Sequence, residues 1–188
     1  MRLYRKHPKP KDQEPSSKLV EFANEIEIPG MPIADVACGY GRNGAYFASK
    51  NIPVFFIDMD QDCLNFISKG KNVSITGDIP PENIKCLNVD LTEKWPLPQN
   101  SLSGIICTHF YYPGLITLWS NSIVKNGFFY FETIEARKIN ESVLPCENEI
   151  RKELEHEFDI LHYAERAVKN SSQFPQRKVS CLAFALKK

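Results

Sequence analysis

The chain has 188 residues, 43% of them hydrophobic and 11% aromatic, enough to bury a core without disulfides or a structural metal. Its 23 basic and 23 acidic side chains cancel, which excludes a global field that would recruit nucleic acid or an anionic membrane. No apolar run reaches the roughly 18 residues of a membrane span, and the charged, proline-bearing start has no apolar signal core.

A cytoplasmic location is therefore expected. The six cysteines, Cys38, Cys63, Cys86, Cys107, Cys146 and Cys181, form no CxxC pair and have no histidine at metal-ligand spacing. They read as reduced thiols, mostly within apolar runs, and no metal is expected.

Residues 1–15 form a basic arm with Arg2, Arg5, Lys6, Lys9 and Lys11, either a solvated segment or one that folds over an acidic ligand. Residues 16–188 read as one domain. Ser16 or Ser17 caps a helix to about Ile28, with Leu19, Phe22, Ala23 and Ile26 on its apolar face, and Pro29-Gly30 stops it. A strand is expected over Ile33–Cys38, a helix over Gly41–Ser49, a strand over Val54–Ile57 and a helix over Gln61–Lys69. After a polar stretch, Ile84–Val89, Gly104–Thr108 and Phe128–Ile134 read as strands, with a helix near Leu115–Val124. This alternation implies a parallel sheet with helices on both faces. A helix near Glu147–Glu157 precedes Phe158–Ala167 and Lys178–Leu186, two strands joined without a helix and so antiparallel.

The most informative stretch is Ile33-Ala34-Asp35-Val36-Ala37-Cys38-Gly39-Tyr40-Gly41-Arg42-Asn43-Gly44. An apolar strand runs into a glycine turn and a helix starts at once, so the backbone can approach a ligand closely. Gly39, Gly41 and Gly44 spell GxGxxG, a dinucleotide signature that keeps a nicotinamide-dependent oxidoreductase open as a reading. Asp35 argues against it, because a carboxylate aimed at the turn repels a pyrophosphate and suits an ammonium group. Asp58, about 20 residues past the turn, suits ribose hydroxyls. Asp90, ending the third strand, offers a third contact on the same edge.

Asp35-Val36-Ala37-Cys38-Gly39-Tyr40-Gly41-Arg42-Asn43 resembles motif I of class I S-adenosylmethionine-dependent methyltransferases, and its Cys-Gly-x-Gly-Arg-Asn core resembles the TehB-like, tellurite-resistance branch. The resemblance continues through Phe56-Ile57-Asp58-Met59-Asp60, Asn88-Val89-Asp90-Leu91 and Asn126-Gly127-Phe128-Phe129-Tyr130-Phe131-Glu132-Thr133. Ala37 stands where that family commonly has glycine, and Asn126 where it has proline.

The resemblance implies a Rossmann-like fold with a mostly parallel seven-stranded sheet, a C-terminal antiparallel hairpin strand and helices on both faces. It implies S-adenosylmethionine as cofactor. Asp35 and the turn from Ala37 through Cys38 and Gly39 to Gly41 would face the methionine part, with Arg42 on its carboxylate and Asn43 beside it. Asp58 would take the ribose, Met59 would pack on adenine, and Asp90 would accept from the adenine amino group with Leu91 beside the ring.

The acceptor side should depend on Thr108-His109-Phe110-Tyr111-Tyr112-Pro113. It lacks the Asn/Asp-Pro-Pro-aromatic motif of planar-amine methyltransferases, and Pro145-Cys146 lies after the wrong strand for cytosine chemistry. His109 is expected to line the donor site and act as a general base, and Tyr111 to work in the acceptor pocket. Glu132 is expected near that pocket. A small-molecule acceptor, a thiol or chalcogen among the candidates, is the leading expectation, reached by in-line displacement. A non-catalytic S-adenosylmethionine-binding module stays open, as does RNA methylation aided by the arm. Neither membrane nor nucleic acid is an expected partner, and the oligomeric state is not set by the sequence.

Overall fold

The computed structural model describes residues 14–69, 79–133, 144–168 and 178–188. Strand β1 (Ile33–Val36) is buried along its whole length, as expected for an apolar run at the centre of a parallel sheet. It pairs in parallel with β2 (Val54–Asp58) on one side and β4 (Leu102–Thr108) on the other. Beyond β2 lies β3 (Ile84–Asn88), and beyond β4 lies β5 (Ile123–Glu132), both also parallel. Strand β7 (Val179–Lys187) then inserts antiparallel between β5 and β6 (Phe158–Ala167). The resulting seven-stranded order is β3-β2-β1-β4-β5-β7-β6. The mostly parallel sheet with an antiparallel C-terminal hairpin is the one expected.

Helices cover both faces. On one, α1 (Ser17–Ala23), α2 (Arg42–Ala48) and α3 (Gln61–Ile67) contribute Leu19, Phe22, Phe47, Leu64 and Ile67 to a cluster with Phe56, Phe128, Tyr130 and Phe184. On the other, α4 (Leu115–Ser120) and α5 (Glu149–Leu154) bring Ile116, Trp119, Ile150 and Leu154 against Phe129, Phe131 and Phe158. Strand β5 supplies both layers by alternation, Phe128 and Tyr130 to one and Phe129 and Phe131 to the other.

Several element ends differ from expectation. Helix α1 ends at Ala23, well before Pro29-Gly30. Helix α4 ends at Ser120, because Ile123 already pairs with Leu102 as strand. The register of β4 and β5 then shifts before Gly104 meets Phe128, with Asn126 at φ 64° in between. The expected strand end at Ile134 and most of the basic arm lie outside the described residues. Among the described residues no helix is long and apolar enough to cross a membrane.

Candidate active site

The sheet order reverses at β1, with β2 and β4 leaving from opposite sides, and such a switch point opens a crevice beyond the strands' carboxyl ends. Three residues of the turn above β1 adopt left-handed backbone: Ala37 at φ 49°, Gly39 at 53° and Gly41 at 75°. A Cβ on Gly41 would lie 2.9 Å from both Ile67 and Phe56, and one on Gly44 would lie 2.5 Å from Phe56. Gly44 therefore serves close packing of α2 on the sheet, which accounts for the last glycine of the GxGxxG pattern without a dinucleotide.

Two of the three strand-tip carboxylates hold this turn from beneath. Asp35 Oδ2 accepts the Gly44 N–H at 2.8 Å, and the residue is 2% exposed. Burial pushes its carboxyl up to about 7, against the pull of the Gly44 N–H and Arg42 and helped by the nearby Asp58. Asp58 Oδ2 accepts the Gly39 N–H at 2.8 Å, and its Oδ1 accepts the Asp60 N–H at 2.8 Å. Asp60 in turn caps α3 through the Asp62 N–H. The third, Asp90, is half-buried and accepts from the Thr92 N–H at 2.9 Å and hydroxyl at 2.6 Å. Met59, beside Asp58, leaves 51% of its surface to solvent. Leu91 departs from expectation: its side chain is in the core at 5% exposure, so only its backbone can border a ring.

A second polar group gathers at the tips of β4 and β5. Asn43 Oδ1 accepts the Ser16 N–H at 2.9 Å, and its amide donates to Thr108 Oγ1 at 3.2 Å. The Asn43 side chain, expected at the cofactor, is thus committed to joining α2, β4 and the start of α1, and it is 1% exposed. Ser16 Oγ lies 2.9 Å from Tyr130 Oη, which donates to Glu132 Oε2 at 2.7 Å. Arg42 donates to the Glu14 carbonyl at 3.0 Å. Ser16 and Tyr130 were not foreseen as site residues; 114 positions separate them, and no local pattern marks such a contact.

His109 adopts φ 59° and donates its N–H to the Glu132 carbonyl at 2.8 Å. Burial and the Arg42 charge lower its pKa below the usual imidazole value, opposed by Glu132, so the neutral ring prevails at pH 7.

Tyr111, expected in the acceptor pocket, lies against β5 and α5. It is 6% exposed, packs edge-on against Phe131 at 6.1 Å and donates to Glu153 Oε1 of α5 at 3.3 Å. An open concavity of about 790 Å³ lies beside α4 and α5, lined by Glu149, Glu153 and Glu157 among others, and none of the strand-tip aspartates borders it. The chemistry of the aspartates and the turn outweighs its size. Among the described residues no group of three or more His, Cys, Asp or Glu is placed to hold a metal.

The strand order, with β7 reversed between β5 and β6, is the fold of solved S-adenosylmethionine-dependent methyltransferases. No protein-family model and no curated protein sequence matches the chain. Solved structures of similar fold include TehB from Haemophilus influenzae, 18% identical at a TM-score of 0.63, where the match covers 91% of this chain and 62% of TehB. This chain therefore spans less than two thirds of that protein. Magnesium protoporphyrin IX methyltransferase (ChlM) from Synechocystis PCC 6803, solved with bound SAM, is 17% identical at a TM-score of 0.60, covering 92% of this chain and 77% of that one. A SAM-dependent methyltransferase from Methanosarcina mazei is 11% identical at 0.61, covering 89% and 96%.

Proposed function

We propose that this chain transfers the methyl group of S-adenosylmethionine to a small-molecule acceptor. One observation supports the reading most: Asp35 near the end of β1 and Asp58 at the end of β2 bond to Gly44 and Gly39 around a turn with three left-handed residues, Ala37, Gly39 and Gly41, and Asp90 follows the end of adjacent β3. The donor's ribose hydroxyls and adenine amino group are hydrogen-bond donors that fit Asp58 and Asp90. Exposed Met59 offers an apolar face to the base, and Arg42 a cation to the donor carboxylate. The ribose and base would lie over β2 and β3, so the sulfonium end would cross β1 toward β4 and β5.

The cofactor supplies an activated methyl group. The acceptor's lone pair forms a bond to that carbon while the carbon–sulfur bond breaks, and its electrons return to sulfur as S-adenosylhomocysteine. Holding the two partners in line contributes about 7–11 kcal/mol. His109, neutral at pH 7, takes the proton of a thiol, hydroxyl or amine acceptor; a thiolate has none to give. A cytoplasmic location fits six cysteines that are all free.

The test is transfer of labelled methyl from S-adenosylmethionine across thiols, selenite, tellurite, phenols and amines. A labelled product supports the reading. Binding of the donor without transfer to any of them favours the non-catalytic alternative.

A further inference from the structure

This inference rests on the methyl-transfer reading and concerns the acceptor end of that site. Glu132 ends β5 directly beside Thr108 of β4 in register, on the far side of β1 from Asp58 and Asp90. Three hydrogen-bond contacts fix it there. Tyr130, 0% exposed, donates its hydroxyl to Glu132 Oε2 at 2.7 Å. Ser16 Oγ meets the same tyrosine oxygen at 2.9 Å, and the Glu132 carbonyl accepts the His109 N–H at 2.8 Å. A carboxylate held by a buried phenol is aimed before any ligand arrives, which is what makes such a group selective. Arg42 and Glu132 both act electrostatically on His109, with opposite sign.

We infer that Glu132 is the carboxylate facing the transferred methyl, with Tyr130 as the residue that positions it. The acceptor it selects carries a cationic or hydrogen-bond-donating group at or beside its nucleophile, as an amine, alcohol or thiol does. Among the described residues no other carboxylate is fixed at the β4 and β5 tips: Asp35 and Asp58 bond to the turn and the start of α2, and Glu153 is turned to Tyr111.

Sinefungin tests this without knowledge of the acceptor, because it replaces the sulfonium methyl with a carbon bearing an ammonium group. Its affinity is measured against that of S-adenosylhomocysteine, which has nothing at that position. Wild-type protein is expected to favour sinefungin. Glu132→Gln is expected to cut the ratio of sinefungin affinity to S-adenosylhomocysteine affinity at least about tenfold, the scale of one charge-assisted hydrogen bond. Tyr130→Phe is expected to cut it by less, and S-adenosylhomocysteine affinity stays unchanged in both. If both nucleotides bind but the wild type shows no preference, or neither variant changes the ratio, the assignment of Glu132 is overturned and the methyl-transfer reading stands. If neither nucleotide binds wild-type protein, the methyl-transfer reading falls and this inference with it. Should Glu132→Gln not fold, the ratio in Tyr130→Phe decides alone.

Discussion

The Asp58 carboxylate reaches across 19 positions of sequence to take the Gly39 N–H at 2.8 Å. The second strand thereby fixes the turn that follows the first, so the turn is held by tertiary contact as much as by its glycines. Asp58→Ala strands two N–H groups, those of Gly39 and Asp60. The expected cost is about 1–3 kcal/mol of stability for leaving such groups unsatisfied, together with loss of S-adenosylmethionine binding. Urea unfolding and titration calorimetry on the same sample measure both.

Ala37 holds φ 49°, a conformation that costs an L-residue roughly 1–2 kcal/mol. Glycine removes that penalty and adds about 0.5–1 kcal/mol of unfolded-state entropy. Ala37→Gly is therefore expected to keep the fold and raise the urea midpoint slightly. A clear drop in the midpoint would show that the methyl group packs favourably enough to offset the backbone strain.

Asp35 has a folded pKa near 7 against an ordinary 3.8 because it is buried. Below that ordinary value both folded and unfolded chains carry the proton. Between about 4 and 7 the unfolded chain has released it and the folded chain keeps it, so stability falls as pH rises, by at most about 1.4 kcal/mol per unit. Above 7 the contribution is level. Asp35→Asn keeps an oxygen for the Gly44 N–H and has no proton to lose. Its stability relative to wild type is expected to rise from pH 4 to 7 and then flatten, as followed by thermal unfolding across that range.

His109 stands in left-handed backbone that asparagine also tolerates. His109→Asn is expected to leave S-adenosylmethionine affinity unchanged. With an acceptor that must lose a proton, the rate should fall by about 10²–10⁴; with a thiolate it should hold. Since burial and Arg42 lower the imidazole's pKa, the acid limb of the wild-type rate profile should lie below the usual histidine value.

Much of the fold was legible because β1, β2 and β4 are short apolar runs separated by helical patterns, and because the sequence between Phe158–Ala167 and β7 carries no helical pattern. The carboxylates proposed for the donor stand out in the sequence for a related reason: Asp35, Asp58 and Asp90 each end, follow or interrupt such a run. Which way each carboxylate faces was not, since a glycine turn in sequence does not say that Asp35 and Asp58 will be drawn under it. The acceptor half depends on contacts between distant segments, Ser16 with Tyr130 and Asn43 with Thr108. The surroundings of Tyr111 were not legible for the same reason: an aromatic after β4 suits a pocket or a core equally, and its contact with Glu153 on α5 joins distant segments.

The most direct measurement is calorimetric titration of S-adenosylmethionine into the wild-type chain and Met59→Asp. Met59 is 51% exposed, so its replacement spares the fold while setting a negative charge and no apolar face against the base. Saturable one-to-one binding to the wild type, weakened at least about tenfold in the variant, is the expected result. Absence of binding to a folded wild-type chain would contradict the account at its root.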